Sequence, residues 1–392
     1  MSAWTLAAIA LLANPPATHA AGAVKVWDAS RPTRFAGHLP VRVQSLADGG
    51  VRIFSRGGSQ VQDGSLCGSP RWPGPLQPWT EIDITKSVRG HCGEARFSRD
   101  GSIAILQDAQ VRCGPGPYLR TFDVEERRFG AGEYRPDAAF CHLAIGRGAV
   151  ACFVEVGKEH FRAGARFLRL EVLRAVRGRI EVAERWRDST YVHLESAAMN
   201  DAGDIVALVA TVGFRAIVPQ PATWALLIAP AEGVPSLRPI ARFDRGSKVA
   251  ISDNGAWIAA TRGGMESTRV DILSAGTLEQ VGGSLLIADF IEERAAVVEL
   301  AVSNRRAVAA SVHVVHAPGS TETRVLLVRA PGDGETLQAI GSGYLETVLH
   351  FTAGRYLFVG SPGLPARTMK GIDGGPDEYL PPVEATACVY RD

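Results

Sequence analysis

The sequence predicts an all-β fold assembled from repeated, four-stranded antiparallel sheets, and three observations predict it. First, a phrase in which an apolar strand breaks at a tight polar turn and resumes as a second apolar strand recurs at QSLADGGVRIF (44–54), ARFSRDGSIAIL (95–106), HLAIGRGAVACF (142–153), AAMNDAGDIVAL (197–208), VAISDNGAWIAA (249–260), LAVSNRRAVAAS (300–311) and HFTAGRYLFVG (350–360). With Gly50, Gly101, Gly148, Gly203, Gly255, Arg306 and Gly354 as equivalent positions, the steps are 51, 47, 55, 52, 51 and 48 residues. Such a period marks an array of like units, none able to bury its apolar face alone. Second, the stretch after each turn is continuously apolar, as in Ile205 to Ala210 or Tyr356 to Val359, which suits a strand covered on both faces. Third, the turns hold Asp-Gly, Asp-Asn-Gly and Asp-Ala-Gly, whose residues tolerate the positive backbone angles of tight hairpins.

The outer strands of each unit are more charged, as rim positions should be. In the second unit they read as Tyr118 to Asp123 and Arg128 to Glu133, and in the fifth as Arg269 to Leu273 and Leu278 to Gly282. From Arg166 to Arg187 the fourfold spacing of Leu168, Val172, Val176 and Ile180 also suits an amphipathic helix. Gly178 and the alternation Leu168, Leu170, Val172 instead favour two strands joined at Arg177-Gly178. At the N-terminus, Ala23 to Phe35 looks like a third and fourth strand with no inner pair before it. The seventh phrase is followed by a long Gly/Pro-rich loop and one more strand, Ala385 to Arg391, so pairing the chain ends leaves no sheet edge open.

The phrases ARFSRDGSIAIL and VAISDNGAWIAA, with their Ser-x-Asp-Gly or Ser-Asp-x-Gly turns, resemble the repeat of TolB-type and WD-repeat β-propellers. Lys25-Val26-Trp27-Asp28 is similar to the Trp-Asp dipeptide that closes the third strand of a WD repeat. The chain departs from WD repeats in lacking the Gly-His dipeptide and in its longer units, and from TolB-type units at Ser303-Asn304-Arg305-Arg306. The expected architecture is a seven-bladed β-propeller of four-stranded antiparallel blades, its ring closed by the N- and C-terminal strands. Partitioning the terminal strands differently gives six or eight blades.

Lys plus Arg number 42 and Asp plus Glu 41, a formal net charge of +1, which argues against nucleic acid or an anionic membrane as partner. Apolar residues make up 46% and charged ones 21%, enough for a large core. Residues 1–20 read as a signal peptide: an apolar stretch from Ala3 to Ala13, then Pro15-Pro16, then Thr18-His19-Ala20 with a small residue at the cleavage position. No basic residue precedes the apolar stretch, so a buried N-terminal strand is the alternative. The remaining 21–392 are expected to form one domain with no transmembrane segment, periplasmic or extracellular and monomeric. The six cysteines show no CxxC pair or zinc spacing, which favours disulfides. If Gly146-Arg147-Gly148 is a hairpin turn, Cys141 and Cys152 fall opposite or one place off on neighbouring strands, and Cys92 and Cys113 flank the second phrase more loosely. The alternative is that some are small buried apolar residues.

Catalytic motifs are missing: there is no Gly-x-Ser-x-Gly, HExxH, Walker loop or EF-hand loop, and Ser252 to Trp257 has the wrong spacing for a sialidase Asp-box. In a propeller the tight inner turns lie on one face, and the connections between second and third strands lie on the other. Two such connections are long: Ser55 to Trp79, with Arg71, Trp72 and Trp79, and Ser361 to Glu384, with Arg367, Lys370, Asp373, Asp377, Glu378 and Tyr379. Long loops beside a channel mouth commonly carry function. The sequence therefore predicts an exported, non-catalytic binding or scaffold protein that recognises a protein, peptide or glycan at its loop-bearing face, with no cofactor. A sensor working with a membrane partner is indistinguishable from it by sequence. The enzyme alternative is a metal-assisted hydrolase or lyase in the axial channel using His142, His193 and His350, which sit near innermost strands.

Overall fold

The computed structural model describes residues 24–28, 42–45, 51–54, 94–98, 102–107, 118–123, 128–134, 141–156, 167–211, 223–240, 243, 245–262, 269–291, 293–316, 320–342, 347–352, 356–361, 367–369, 378–380 and 386–391. After β1 (Val24–Asp28), the strands β2 (Arg42–Ser45) and β3 (Val51–Phe54) form the hairpin of the first unit. The second sheet comprises β4 (Glu94–Phe97), β5 (Ile103–Gln107), β6 (Tyr118–Asp123) and β7 (Arg128–Tyr134). The third comprises β8 (Cys141–Ile145), β9 (Ala149–Val156), β10 (Phe167–Val176) and β11 (Arg179–Asp188). The fourth comprises β12 (His193–Met199), β13 (Ile205–Ala210), β14 (Trp224–Ala229) and β15 (Ser236–Pro239). The fifth comprises β16 (Val249–Ile251), β17 (Trp257–Arg262), β18 (Arg269–Ser274) and β19 (Leu285–Leu286). The sixth comprises β20 (Arg294–Val302), β21 (Val308–Val315), β22 (Thr321–Ala330) and β23 (Asp333–Ser342).

The seventh sheet joins the two ends of the chain. Its order is β24 (Val348–Thr352), β25 (Tyr356–Ser361), β28 (Thr386–Arg391) and then β1. Of the two strands expected over 23–35, β1 is the outermost strand of this sheet, paired antiparallel from Val24 opposite Arg391 to Asp28 opposite Cys388, and residues 29–35 lie outside the described residues. Between β25 and β28, the strands β26 (Arg367–Met369) and β27 (Glu378–Leu380) make a separate antiparallel hairpin.

Alternate residues of the inner strands feed two different cores, which is why their sequences are continuously apolar. In β13, Ile205, Ala207 and Val209 pack with Ala151, Phe153 and Leu170 of the third sheet, while Val206 and Leu208 pack with Ile251, Ile258 and Ala260 of the fifth. In β21, Val308, Ala310 and Val312 face Ala259, Val270 and Ile272 of the fifth sheet. From the same segment, Ala307 and Ala309 face Phe351, Leu357 and Val359 of the seventh. Ile103 and Leu119 of the second sheet meet Val150, Cys152 and Val154 of the third. Sheets two to seven are therefore stacked face to face in chain order, as blades of a β-propeller are. A polar contact crosses each interface as well: Thr121 Oγ1 to the Gly178 carbonyl, Arg185 Nη1 to that of Ala231, Asn200 Nδ2 to that of Ser252, Trp257 Nε1 to that of Asn304, and Tyr390 Oη with Gln338 Oε1.

The segment from 167 to 188 is two strands, with Arg177 (φ 48) and Gly178 (φ 75) as a two-residue hairpin turn. Burial on both sides of β10 outweighs the helical spacing. The fourth strand of the fifth unit lies further along than Leu278 to Gly282: Leu278 (φ 60) and Gly282 (φ 78) interrupt an extended run, leaving one isolated bridge at Gln280 before β19. Cys141 and Cys152 lie at disulfide distance, with Cα atoms 5.3 Å apart. They are diagonal instead of opposite, since Cys141 faces Val154 and Cys152 faces Leu143 across the ladder. Cys92 and Cys113, and residues 1–20, lie outside the described residues. No helix among the described residues is long and apolar enough to cross a membrane.

Candidate functional site

Four of the described inner turns, those of the second, fourth, fifth and sixth sheets, are each shaped by one buried polar side chain. Ser98, Ser252 and Ser303 are fully buried, and their hydroxyls accept the amides of Ile103, Trp257 and Ala307, each at 3.0 Å. Asn200 holds the same place in the fourth sheet: its Oδ1 accepts the Asp204 amide at 2.8 Å. Its Nδ2 donates to Asp204 Oδ2 at 2.9 Å and to the carbonyls of Ser252 and Asp253 at 3.1 and 3.3 Å. This one amide ties the turn of the fourth sheet to that of the fifth. The next turn follows, as Asn304 Oδ1 accepts the Asn254 amide at 3.0 Å.

Those linked turns carry Asp201 and Asp253, and the side chains of both meet His350 of β24. One potential ligand atom from each of the three lies within 4.8 Å of the others. His350 is buried, its side chain 8% exposed, with Nε2 3.7 Å from Asp201 Oδ1. Asp201 and Asp253 are half-buried. The convergence brings together sheets four, five and seven.

A second polar network lies toward the other end of β12, which rises about 20 Å from His193 to Met199 at ~3.3 Å per residue. Glu155 Oε1, at the end of β9, lies 3.5 Å from His142 Nε2 and 3.3 Å from His193 Nδ1, and it accepts the Leu194 amide at 3.1 Å. His193 Nε2 in turn lies 3.5 Å from Glu195 Oε2. The β12 ladder skips Glu195, a bulge that aims its carboxylate at His193 and at the Gly246 amide, 2.7 Å from Oε1. Burial alone would raise the Glu195 carboxyl pKa. The His193 contact, the Gly246 amide and the positive charges of His193 and Lys248 outweigh it and hold the pKa below the ordinary carboxylate value.

Of the three histidines singled out in the sequence, His142 and His193 come together around Glu155, while His350 stands with Asp201 and Asp253. Arg367, Glu378 and Tyr379 lie on the β26–β27 hairpin, where Arg367 pairs with Leu380, Thr368 with Tyr379 and Met369 with Glu378. Arg71, Trp72, Trp79, Lys370, Asp373 and Asp377 lie outside the described residues. Sequence reasoning passed over Glu155, Glu195, Asp201 and Asp253. Glu155 carried a signal, a carboxylate closing the apolar run AVACFV, whereas Asp201 and Asp253 read simply as turn formers.

No protein-family model matches the chain, and no curated protein matches it. Among solved structures, a Dos1 propeller aligns over 94% of this chain and 95% of its own, at 10% identity and a TM-score of 0.42. Sqt1 of Saccharomyces cerevisiae aligns over 94% and 98%, at 8% identity and a TM-score of 0.41. A luciferin-regenerating enzyme aligns over 76% and 91%, at 12% identity and a TM-score of 0.44. These values carry no functional inference, and the propeller assignment stands on the stacked sheets and their shared cores.

Proposed function

We propose that this chain is an exported, monomeric, seven-bladed propeller that acts by recognition, taking a protein, peptide or glycan on the face that bears its long second-to-third-strand connections. The observation that carries the reading is the β26–β27 hairpin. Within the connection from 361 to 384, two strands pair with each other and, among the described residues, with no blade. A hairpin carried on a blade without extending its sheet suits a platform for contact, as long connections commonly carry function. Pairing of β1 with β28 supports a ring closed through the seventh blade, and the approach of Asp201 to His350 supports inner edges gathered about one hub. The signal-like residues 1–20 and the Cys141–Cys152 pair support export.

The test replaces residues 362–384 with a Gly-Ser linker and compares both proteins on glycan and peptide arrays, with melting curves alongside. The expected outcome is a ligand that binds the parent and is lost from the replacement at unchanged melting temperature. No specific ligand for the parent, or equal binding by both, refutes the reading. N-terminal sequencing of protein collected outside the producing cytoplasm is expected to begin at Ala21. A second reading, metal-assisted hydrolase or lyase chemistry, is favoured by Asp201, Asp253 and His350 and requires first that they hold a cation.

A further inference from the structure

We propose that Asp201, Asp253 and His350 form a binding site for one divalent cation of the Zn²⁺ or Mn²⁺ class at the turn-bearing end of the hub. The argument begins with where the three side chains come from. Asp201 belongs to the turn after β12, Asp253 to the turn after β16, and His350 to the middle of β24. No local hairpin geometry brings an innermost-strand residue of the seventh sheet to turns of the fourth and fifth. Their meeting is a property of the assembled fold.

The separations suit a shared ion. Ligands about 2.0–2.4 Å from one cation lie up to about 4.8 Å from each other, and these three potential ligand atoms lie within 4.8 Å. The 3.7 Å from His350 Nε2 to Asp201 Oδ1 exceeds a hydrogen bond and fits two ligands spread around a common metal. The turns that carry the carboxylates are also held from outside the cluster. Asn200 binds the backbone of both turns, and Asn304 anchors the amide that follows Asp253. A cation would find its ligands already placed and pay little ordering cost.

The donor set selects the metal class. Two carboxylates and one imidazole suit the borderline ions Zn²⁺, Mn²⁺ and Co²⁺, whereas Ca²⁺ and Mg²⁺ prefer oxygen throughout. Three protein ligands leave coordination positions for water or for an oxygen of a bound molecule. The site does not depend on the recognition surface at the β26–β27 hairpin, so either can fail without the other.

The test uses the untagged full chain, stripped with chelator and titrated with Zn²⁺, Mn²⁺ and Ca²⁺ by calorimetry. Asp253→Asn, His350→Gln and, as control, His193→Gln are titrated in parallel, each checked for an unchanged circular dichroism spectrum. The expected result is one equivalent of Zn²⁺ or Mn²⁺ bound by the parent and by His193→Gln, and at least tenfold weaker binding by Asp253→Asn and His350→Gln. Co²⁺ bound to the parent is expected to show visible bands that its binding to Asp253→Asn lacks. Absence of stoichiometric binding overturns the proposal. So does binding that Asp253→Asn leaves intact, or that only His193→Gln removes, which would place the ion in the His142–Glu155–His193 network. A preference for Ca²⁺ overturns the assigned metal class.

Discussion

Replacing Asn200 with aspartate should cost more stability than replacing it with alanine, although aspartate has nearly the same shape. Asn200 is 1% exposed, and its amide nitrogen faces three oxygens, Asp204 Oδ2 at 2.9 Å and the carbonyls of Ser252 and Asp253 at 3.1 and 3.3 Å. Alanine removes the donor and also the acceptor of the Asp204 amide; the Ser252 carbonyl keeps the Gly255 amide at 2.9 Å, so the Asp204 amide is the main group stranded, at about 1–3 kcal/mol. Aspartate keeps that acceptor but sets a fourth oxygen against the three. Two charges ~3 Å apart at an effective dielectric of ~20 repel by about 5 kcal/mol, so the introduced carboxyl stays protonated in the folded protein. Holding it protonated at pH 7, against an unfolded pKa of ~3.9, costs about 4 kcal/mol, and at pH 5 about 1.5 kcal/mol. The sign follows from a folded pKa raised above the unfolded one: stability is retained in acid and lost as pH rises. Urea denaturation in chelator at pH 7 and pH 5 measures this. The expected order is Asn200→Asp below Asn200→Ala below parent at pH 7, with the aspartate variant recovering at pH 5. An aspartate variant at least as stable as the alanine variant at pH 7, or one indifferent to pH, would refute the assigned amide orientation and the turn-to-turn tie.

Gly255 has φ +68, and a Cβ there would lie 2.6 Å from Asp204 Oδ2, whereas Gly178 has φ +75 with open space around it. Gly255→Ala should therefore lose about 2–3 kcal/mol and Gly178→Ala about 1 kcal/mol; equal losses in thermal melts would contradict the close approach of the two turns. Phe153 is fully buried between the third and fourth sheets, so Phe153→Ala should cost about 3–5 kcal/mol, and a loss below ~1 kcal/mol would argue that those sheets do not share a core. The Glu195 carboxyl has a lowered pKa in the folded state, so its contribution is present above the unfolded value and is lost as pH falls through the folded one. Glu195→Gln should be less stable than the parent at pH 7 and converge with it in acid; a pH-independent difference would rule out the charge interaction with His193.

The turns were legible because their chemistry is local. Ser252, Asp253, Asn254 and Gly255 stand where a tight hairpin needs a side-chain acceptor and a positive φ, and Gly255 takes φ +68. Arg306 shows the limit of that reading. Its side chain gives no hint of a left-handed backbone, yet it adopts φ 72 in the position of Gly203 and Gly255. The Ser303 hydroxyl accepts the amides of Arg305 and Ala307, and the Arg306 guanidinium lies over the Trp257 ring at 5.5 Å. The spacing of Leu168, Val172 and Val176 fits helix and strand alike, and the burial that decides between them comes from neighbouring sheets. Asp201 and Asp253 were hidden by being good turn residues: a side chain that satisfies a local rule gives no sign that it also faces a histidine in a distant unit.

That contact constrains the shape of the stack. Between the fourth and seventh sheets lie the fifth and sixth, each a layer in a face-to-face series held by its own shared core. Sheets pack ~10 Å apart, so a straight stack would put the fourth and seventh about 30 Å from each other along their whole length. Asp201 nevertheless reaches within 3.7 Å of His350. The layers must therefore fan, with their innermost strands β12, β16, β20 and β24 crowded together and their outer strands apart. Small residues on the inner strands are consistent with the fan: Ala197 and Ala198 in β12, Ala250 in β16 and Ala301 in β20 take little room where layers converge. Polar side chains meet here from several sheets: Asp201, Asp253 and His350 from the fourth, fifth and seventh, and His142, Glu155, His193 and Glu195 from the third and fourth.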